Sequence, residues 1–167
     1  MHLVSAGKAA LFGPMSNSPW LTDILALPLR LHIGISVCVG AGWSKMFARD
    51  EQTGELMKFP VKWFVTQVDG MGFPFPEFFA AMAIIAEVIG GALLALGLLT
   101  RSAALIVAIH FAVAAFLFHK VTPIRDINIA QLYTFAALAF VAIGGGRLSL
   151  DQVVRTLWKP ASQGGTS

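Results

Sequence analysis

Charge is scarce in this chain. Only 13% of its 167 residues are Asp, Glu, Lys or Arg, against 56% hydrophobic residues. A soluble domain carries about 25% charged residues, so a water-exposed globule of this size is excluded. The shortfall is concentrated in long uncharged runs, and the mean hydropathy is +0.73, which points to a membrane protein. Cysteine is reduced to Cys38, so neither an intramolecular disulfide nor a Cys-x-x-Cys redox pair can form. Cys38 lies in an apolar run between Gly34 and Gly42 and reads as a small packing residue. A run of basic residues is also missing. The net charge is +3 and the pI about 9.4, but Lys and Arg are scattered singly, which excludes a nucleic-acid surface and suits lipid headgroups. No His/Cys/carboxylate cluster has metal-ligand spacing, and Gly144-Gly145-Gly146 lacks the lysine and preceding strand of a phosphate loop.

The uncharged runs predict an all-α protein, a four-transmembrane-helix bundle running up-down-up-down, with both termini on one side. Residues 1–22 read as an N-terminal tail rather than a cleavable signal peptide. The membrane domain covers 23–159, with spans at about 23–48, 77–99, 102–118 and 127–143, and 160–167 form a disordered C-terminal tail. Thr22 or Asp23 is expected to cap the first span, with Pro28 early in it. A short amphipathic segment follows that span, built on Leu56, Phe59 and Trp63 and lying on the membrane surface. Thr100-Arg101 makes the turn between spans two and three very short, so these must be antiparallel neighbours. The glycine triplet ends the fourth span, and Ser149-Leu150-Asp151 reads as a helix cap at a membrane surface.

The second span holds the one costly residue. Glu87 sits near its middle, where an ionisable group costs at least about 2.5–3.5 kcal/mol and needs a partner or water. Ala83, Glu87, Gly91 and Ala95 recur every four residues, so Glu87 lies on a small-residue face that can approach another helix closely. Two cations flank the first span, Arg30 and Lys45, about 22 Å apart along a helix. Either can reach toward Glu87, and Arg30 is favoured because a guanidinium can hold a carboxylate through two hydrogen bonds. The bland reading is an ion pair, or a hydrogen-bonded or neutral carboxyl, that fixes how spans one and two dock. The sharper reading is a pocket for the polar head of a lipid-like ligand such as a quinone. His110, mid-span in the third helix, is expected opposite Gly90-Gly91, as a packing histidine bonded to a hydroxyl or carbonyl.

Charge bias leaves orientation open. Lys8, Arg30, Arg101, Arg147, Arg155 and Lys159 lie on the side of the termini, and Lys45, Arg49, Lys58, Lys62, Lys120 and Arg125 on the other, six against six. The acids, which add little to the rule, tip it toward cytoplasmic termini.

The motifs together resemble those of the DoxX family of small bacterial membrane proteins. The likeness spreads over about residues 29–155. It begins with Arg30, Gly34 and Gly42-Trp43-Ser44-Lys45, similar to the family's Gly-x-x-Lys, and continues through Gly72-Phe73-Pro74-Phe75-Pro76. Glu87 with Gly90-Gly91 follows, then Gly97-Leu98-Leu99-Thr100-Arg101. It ends with Gly145-Gly146-Arg147-Leu148-Ser149-Leu150-Asp151, where Gly145 replaces the family's usual proline. The resemblance implies a multi-pass protein of the bacterial inner membrane with cytoplasmic termini, associated in some members with quinone- or thiol-linked redox systems. It marks Arg30, Lys45, Glu87, Thr100 and Arg101 as the family's polar positions. The expected function is an accessory subunit of a quinone- or thiol-linked membrane redox system with a buried polar site around Glu87 and Arg30, for which quinone is a candidate ligand rather than an assigned cofactor, and redox proteins or a second copy of the chain are the candidate partners. The competing class is a scaffold, chaperone or carrier of small hydrophobic molecules.

Overall fold

The first apolar run folds as one continuous helix, α1, over Trp20–Met46. The computed structural model describes residues 19–121 and 128–158, and among these every regular element is helical. The expected N-terminal tail 1–22 up to residue 18, the expected C-terminal tail 160–167, and most of the polar turn before the last apolar helix lie outside the described residues. After α1 come α2 (Lys62–Gly70), α3 (Pro76–Leu96), α4 (Thr100–Phe118), α5 (Ile129–Ile143) and α6 (Leu150–Leu157). Three of them, α1, α3 and α4, are long and apolar enough to cross a membrane at 27, 21 and 19 residues, and α5 is a shorter apolar helix.

Helix α1 starts before the position assigned to it from sequence. Thr22 and Asp23 lie inside its first turns rather than capping it, and Pro28 falls within the helix instead of at its mouth. The amphipathic segment also differs. Leu56 pairs with Arg49 in an isolated antiparallel bridge, and helix α2 begins only at Lys62. Of Leu56, Phe59 and Trp63, only Trp63 is helical, because the chain turns at Pro60 before the helix starts.

Packing of α1 on α3 follows from small residues at four-residue spacing on both. A Cβ added at Gly91 would stand 2.5 Å from the Cys38 backbone nitrogen, and one at Gly34 would stand 2.5 Å from that of Ala95. One at Gly42 would meet Val88 and Glu87 at 2.7–2.9 Å. The backbones therefore touch along the stripe, as small residues in membrane helices permit. The contacts also fix an antiparallel register in which residue 34 faces 95, 38 faces 91 and 42 faces 87–88.

Helices α4 and α5 close the bundle. Ala103, Ala104, Val107, Ala108, Phe111 and Ala115 of α4 are buried, with Ala130, Ala137 and Phe140 of α5. Their spacing traces single helical stripes. Asn128 caps α5 by accepting from the Ala130 N–H at 2.8 Å. The opposite faces carry Ile24, Leu25, Ile35, Val39, Ile89, Ile109, Leu132 and Phe135 exposed. A surface so apolar around long, charge-poor helices is the hydrocarbon-facing surface of an integral membrane protein.

Three of the helices widen locally into π-type turns, at Ser36–Trp43, Ala86–Gly90 and Ala114–Phe118. Each accommodates extra residues in a turn and so re-aims the side chains around it, a feature common at functional sites. All three lie around the same region of the bundle interior, where Ala41, Ala86 and Ala114 line one cavity.

Candidate functional site

Glu87 is set by the π-type turn of α3 and is 2% exposed. Its Oε1 accepts from Lys45 Nζ at 2.5 Å and lies 2.8 Å from His110 Nε2. Three helices thus meet at one carboxylate oxygen, α1 through Lys45, α3 through Glu87 and α4 through His110. Lys45 and His110 are nearly as enclosed, at 17% and 15% exposure. The Lys45 ammonium sits 4.6 Å from the centre of the Phe64 ring on α2, within cation–π range. The His110 ring meets Phe111 edge-on at 5.0 Å. Glu87 Oε2 is buried and has no hydrogen-bond partner among the described residues.

These three side chains form the polar corner of a cavity of about 550 Å³. The rest of its wall is mostly apolar: Met82, Ile109, Phe111, Val113 and Phe118 from the long helices, and Phe64, Val68 and Met71 from α2, with Gln67 and His119 as further polar groups. Met82, Ile109 and Phe118 are also exposed on the outer surface, so the cavity opens toward the hydrocarbon side, and an apolar wall with a few placed polar groups is the make-up of small-molecule sites.

Arg30 is not part of this site, which corrects the pairing favoured from sequence. Its guanidinium donates from one terminal nitrogen to the Gly145 carbonyl at 2.5 Å and from the other to the Leu148 carbonyl at 2.8 Å. The α1–α3 register gives the reason. Glu87 is level with Gly42, which is about 18 Å along the helix from Arg30 but only about 4.5 Å from Lys45. The small-residue stripe thus sets a register in which Lys45, and not Arg30, reaches Glu87. His110 also differs from expectation. Its partner is a carboxylate rather than a hydroxyl or carbonyl, and it lies one helical turn from the Gly90-Gly91 level. Glu87 and His110 are equidistant from the Leu98-Leu99 turn, so a hairpin centred there brings them together. That spacing was the available signal for the contact.

Arg30 belongs to a second polar cluster at the other end of the bundle, where Thr100 and Asp151 also fall. The Asp151 carboxylate accepts from the Leu99 N–H at 2.7 Å, the Thr100 N–H at 2.9 Å and the Thr100 hydroxyl at 2.7 Å. It therefore caps the start of α4 from fifty-one residues away. Burial pushes this carboxyl up, but the hydrogen bonds from Thr100 and Leu99 outweigh it and hold it below the ordinary aspartate range. The Asp151 N–H donates to the Gly97 carbonyl at 2.9 Å. Gly97 has φ +70°, and the Arg30 guanidinium lies 2.7 Å from where its Cβ would be, so both backbone shape and space call for glycine. Ser149 caps α6 locally, accepting from Gln152 N–H at 3.4 Å. Arg101 donates to the Ala142 carbonyl at 3.3 Å and lines a smaller cavity of about 260 Å³ with Asp23, Arg147 and Arg155.

Of the other glycines singled out from sequence, Gly34, Gly42 and Gly91 lie in the α1–α3 contact, and Gly90 faces Val107 of α4. Among the described residues no group of three or more His, Cys, Asp or Glu side chains gathers as a metal site would require.

Long apolar helices with their charges drawn inside define a small multi-helical integral membrane protein. The DoxX family model matches residues 25–120, more than half of the chain and including Arg30, Lys45, Glu87, Thr100, Arg101 and His110. The chain belongs to the DoxX family. The closing segment with Gly145-Gly146-Arg147 and Asp151 lies beyond the matched residues. Comparison with curated proteins finds no match, and comparison with solved structures finds none.

Proposed function

We propose that this DoxX protein is an accessory subunit of a membrane redox system that holds a lipophilic, quinone-like molecule in the cavity at Glu87, Lys45 and His110. It crosses the bacterial inner membrane four times, with α5 as the fourth span and both termini in the cytoplasm. The chain binds and positions the ligand, and electron transfer belongs to partner proteins. One observation carries this reading: a buried ion pair lies in the wall of a cavity of about 550 Å³ whose other walls, among the described residues, are mostly apolar. An isolated ion pair in hydrocarbon repays its desolvation poorly, so a pair kept at a cavity wall argues for something bound against it. The cavity is large enough for a substituted ring with the start of a tail. The test is native mass spectrometry of protein released from gentle detergent, with solvent extraction of the retained small molecules. A retained quinone or similar amphiphile, lost when Met82→Trp fills the cavity, is the expected result. A ligand-free protein that still assembles with redox partners would overturn it.

A second reading rests on the same contact. Glu87 joins three helices at one oxygen, which is what a packing lock in a scaffold or carrier would do. Under that reading Glu87→Gln lowers stability and leaves ligand content unchanged.

A further inference from the structure

We propose that the end of the bundle opposite Lys45 holds the phosphate of a net-anionic phospholipid, in the smaller cavity lined by Arg101, Arg147 and Arg155. This site is separate from the cavity at Glu87 and does not rest on the reading of it. Its height follows from where the helices stop. Arg101 is the second residue of α4, residues 144–146 follow the last residue of α5, and Trp20 begins α1. The ends of membrane-spanning helices lie at the level of the lipid headgroups. The cavity volume is about 260 Å³, below the ~300 Å³ at which pockets for whole drug-sized ligands begin. It has room for a headgroup and not for an entire lipid.

The wall carries positive charge that the protein leaves unspent. Among the described residues none of the three arginines forms an ion pair, and Arg147 and Arg155 make no hydrogen bond. Arg101 spends one nitrogen on a long bond to the Ala142 carbonyl at 3.3 Å. Two carboxylates share the wall, Asp23 and Asp151, so cations lead by three to two. Asp151 is already committed to three donors of Leu99 and Thr100. Arg30 adds a further cation beside the glycine loop, bonded to the Gly145 carbonyl. A guanidinium matches a phosphate through two parallel hydrogen bonds, and basic pockets at the ends of membrane helices take anionic headgroups.

Two neighbouring features favour a lipid over a soluble molecule as the carrier of that phosphate. Leu150, Val153, Val154 and Leu157 recur at helical spacing on α6 and are all exposed, while Arg155 of the same helix lines the cavity. An apolar stripe beside a basic face is the pattern of a helix lying in the interface of an anionic membrane. Trp20 is 55% exposed, and the Arg147 guanidinium lies 5.3 Å from its ring centre, which holds that cation at headgroup level. The exposed surface of α1 continues from Trp20 through Ile24 and Leu25. A phosphate seated at the arginines therefore has apolar surface on both sides for its acyl chains.

The experiment is native mass spectrometry of the full chain, released from detergent micelles doped with equal amounts of phosphatidylglycerol and phosphatidylcholine. Both lipids carry the phosphodiester, and only the first is net anionic. Phosphatidylglycerol is expected to be retained about fivefold or more over phosphatidylcholine, the effect of one arginine at the membrane surface. Arg147→Gln combined with Arg155→Gln is expected to abolish the preference. Lys58→Gln combined with Lys62→Gln removes the same charge near the start of α2, at the other end of the bundle, and is expected to leave it intact. Equal retention of the two lipids by the wild type, or a preference that survives the double arginine change, would overturn the proposal. So would equal loss of preference in both double variants, which would trace it to net charge and not to a site. Glycerol phosphate, added at the concentration of the lipids, is the soluble competitor. Retention of phosphatidylglycerol in its presence supports the lipid, and displacement would assign the site to a soluble phosphate and overturn the proposal. If the double arginine variant does not fold, the wild-type lipid comparison and the competitor decide alone. A quinone found or missing at Glu87 leaves each of these outcomes unchanged.

Discussion

At one end of the bundle a buried guanidinium, a carboxylate and a threonine meet backbone groups. At the other, a carboxylate meets only side chains. Arg30 donates to the Gly145 and Leu148 carbonyls, and Asp151 accepts from the Leu99 and Thr100 N–H groups. These partners are the loose ends of helices and loops, which need hydrogen bonds wherever they are buried. The Arg30–Asp151 cluster therefore closes the turn after α3, the start of α4, the glycine loop after α5 and the start of α6 on one another. The Glu87 cluster closes nothing of that kind. Its partners are a lysine on a long flexible stem and a histidine, it leaves one oxygen of its carboxylate without a protein partner, and it faces a cavity. Polar groups spent on backbone hold a fold together, whereas polar groups spent on each other beside an apolar cavity are available to a ligand. Substitutions at the first cluster should read out in stability, and at the second in binding.

Arg30→Met is the strongest test of that division. It keeps the aliphatic bulk but strips two charge-assisted hydrogen bonds and leaves the Gly145 and Leu148 carbonyls without their donor. A loss of about 3–5 kcal/mol is expected, the range for breaking a buried charged partnership. Thermal unfolding in detergent micelles measures it. The folded fraction should bind a short-chain quinone with wild-type affinity. Weakened binding in fully folded Arg30→Met would erase the distinction between the clusters.

Asp151→Asn follows, with an expected loss of about 1–2 kcal/mol, at the modest end because the carboxylate is partly solvated. This variant carries a pH signature as well. The Asp151 carboxyl titrates below its ordinary value in the folded chain, so its contribution is fully present above the unfolded-state value of about 3.9. It disappears as pH falls through the lower folded value. The wild-type unfolding temperature should therefore drop below about pH 4, and Asp151→Asn should lack that part of the drop. Equal acid sensitivity in both proteins would show that other carboxyls govern it.

Glu87→Gln belongs third in stability and first in binding. The amide retains an oxygen for His110 and Lys45, and the lysine stem is long enough to move its charge toward the membrane surface. A loss of about 1 kcal/mol is expected, measured by the same unfolding experiment, together with weaker binding of a short-chain quinone. A loss as large as that of Arg30→Met would make Glu87 a packing lock and favour the scaffold reading.

How much of this division was legible in the sequence depends on whether a contact is set by a helix face or by a tertiary register. The face of Glu87 was legible, because Ala83, Gly91 and Ala95 mark it and Gly34, Cys38 and Gly42 mirror it on α1. Its partner needed the register between those two stripes, which places Lys45 near Glu87 and Arg30 at the far end. His110 could be found by counting symmetrically from the Leu98-Leu99 turn. The helix cap at Ser149 was local and therefore readable. The role of Asp151 was not, since its partners lie across the fold at Leu99 and Thr100. Helix α2 began later than its aromatic spacing suggested, because Leu56 and Phe59 share a face only if the helix already runs through Pro60. The cavity had no sequence signal at all. It is a gap between side chains of α1, α2, α3, α4 and the start of α5, opened where three helices widen by a π-type turn.

The smallest expected effect tests whether α2 is part of the site or only a surface anchor. Phe64 lines the cavity and lies against the Lys45 ammonium. Its neighbour Trp63 is absent from the cavity wall and 44% exposed. Phe64→Ala removes a cation–π contact worth about 0.5–1 kcal/mol and shortens the wall beside Lys45. Global stability should change by less than about 1 kcal/mol, since α2 contributes few fully buried residues beyond Val68. Ligand release should accelerate by several-fold, because a weakened wall acts mainly on dissociation. Trp63→Ala alters the same helix one residue away, outside the cavity, and should leave release unchanged. Stopped-flow dissociation of a short-chain quinone from the two variants separates the cases. Equal release from both would assign the α2 aromatics to the membrane surface and leave Glu87, Lys45 and His110 as the working part of the cavity.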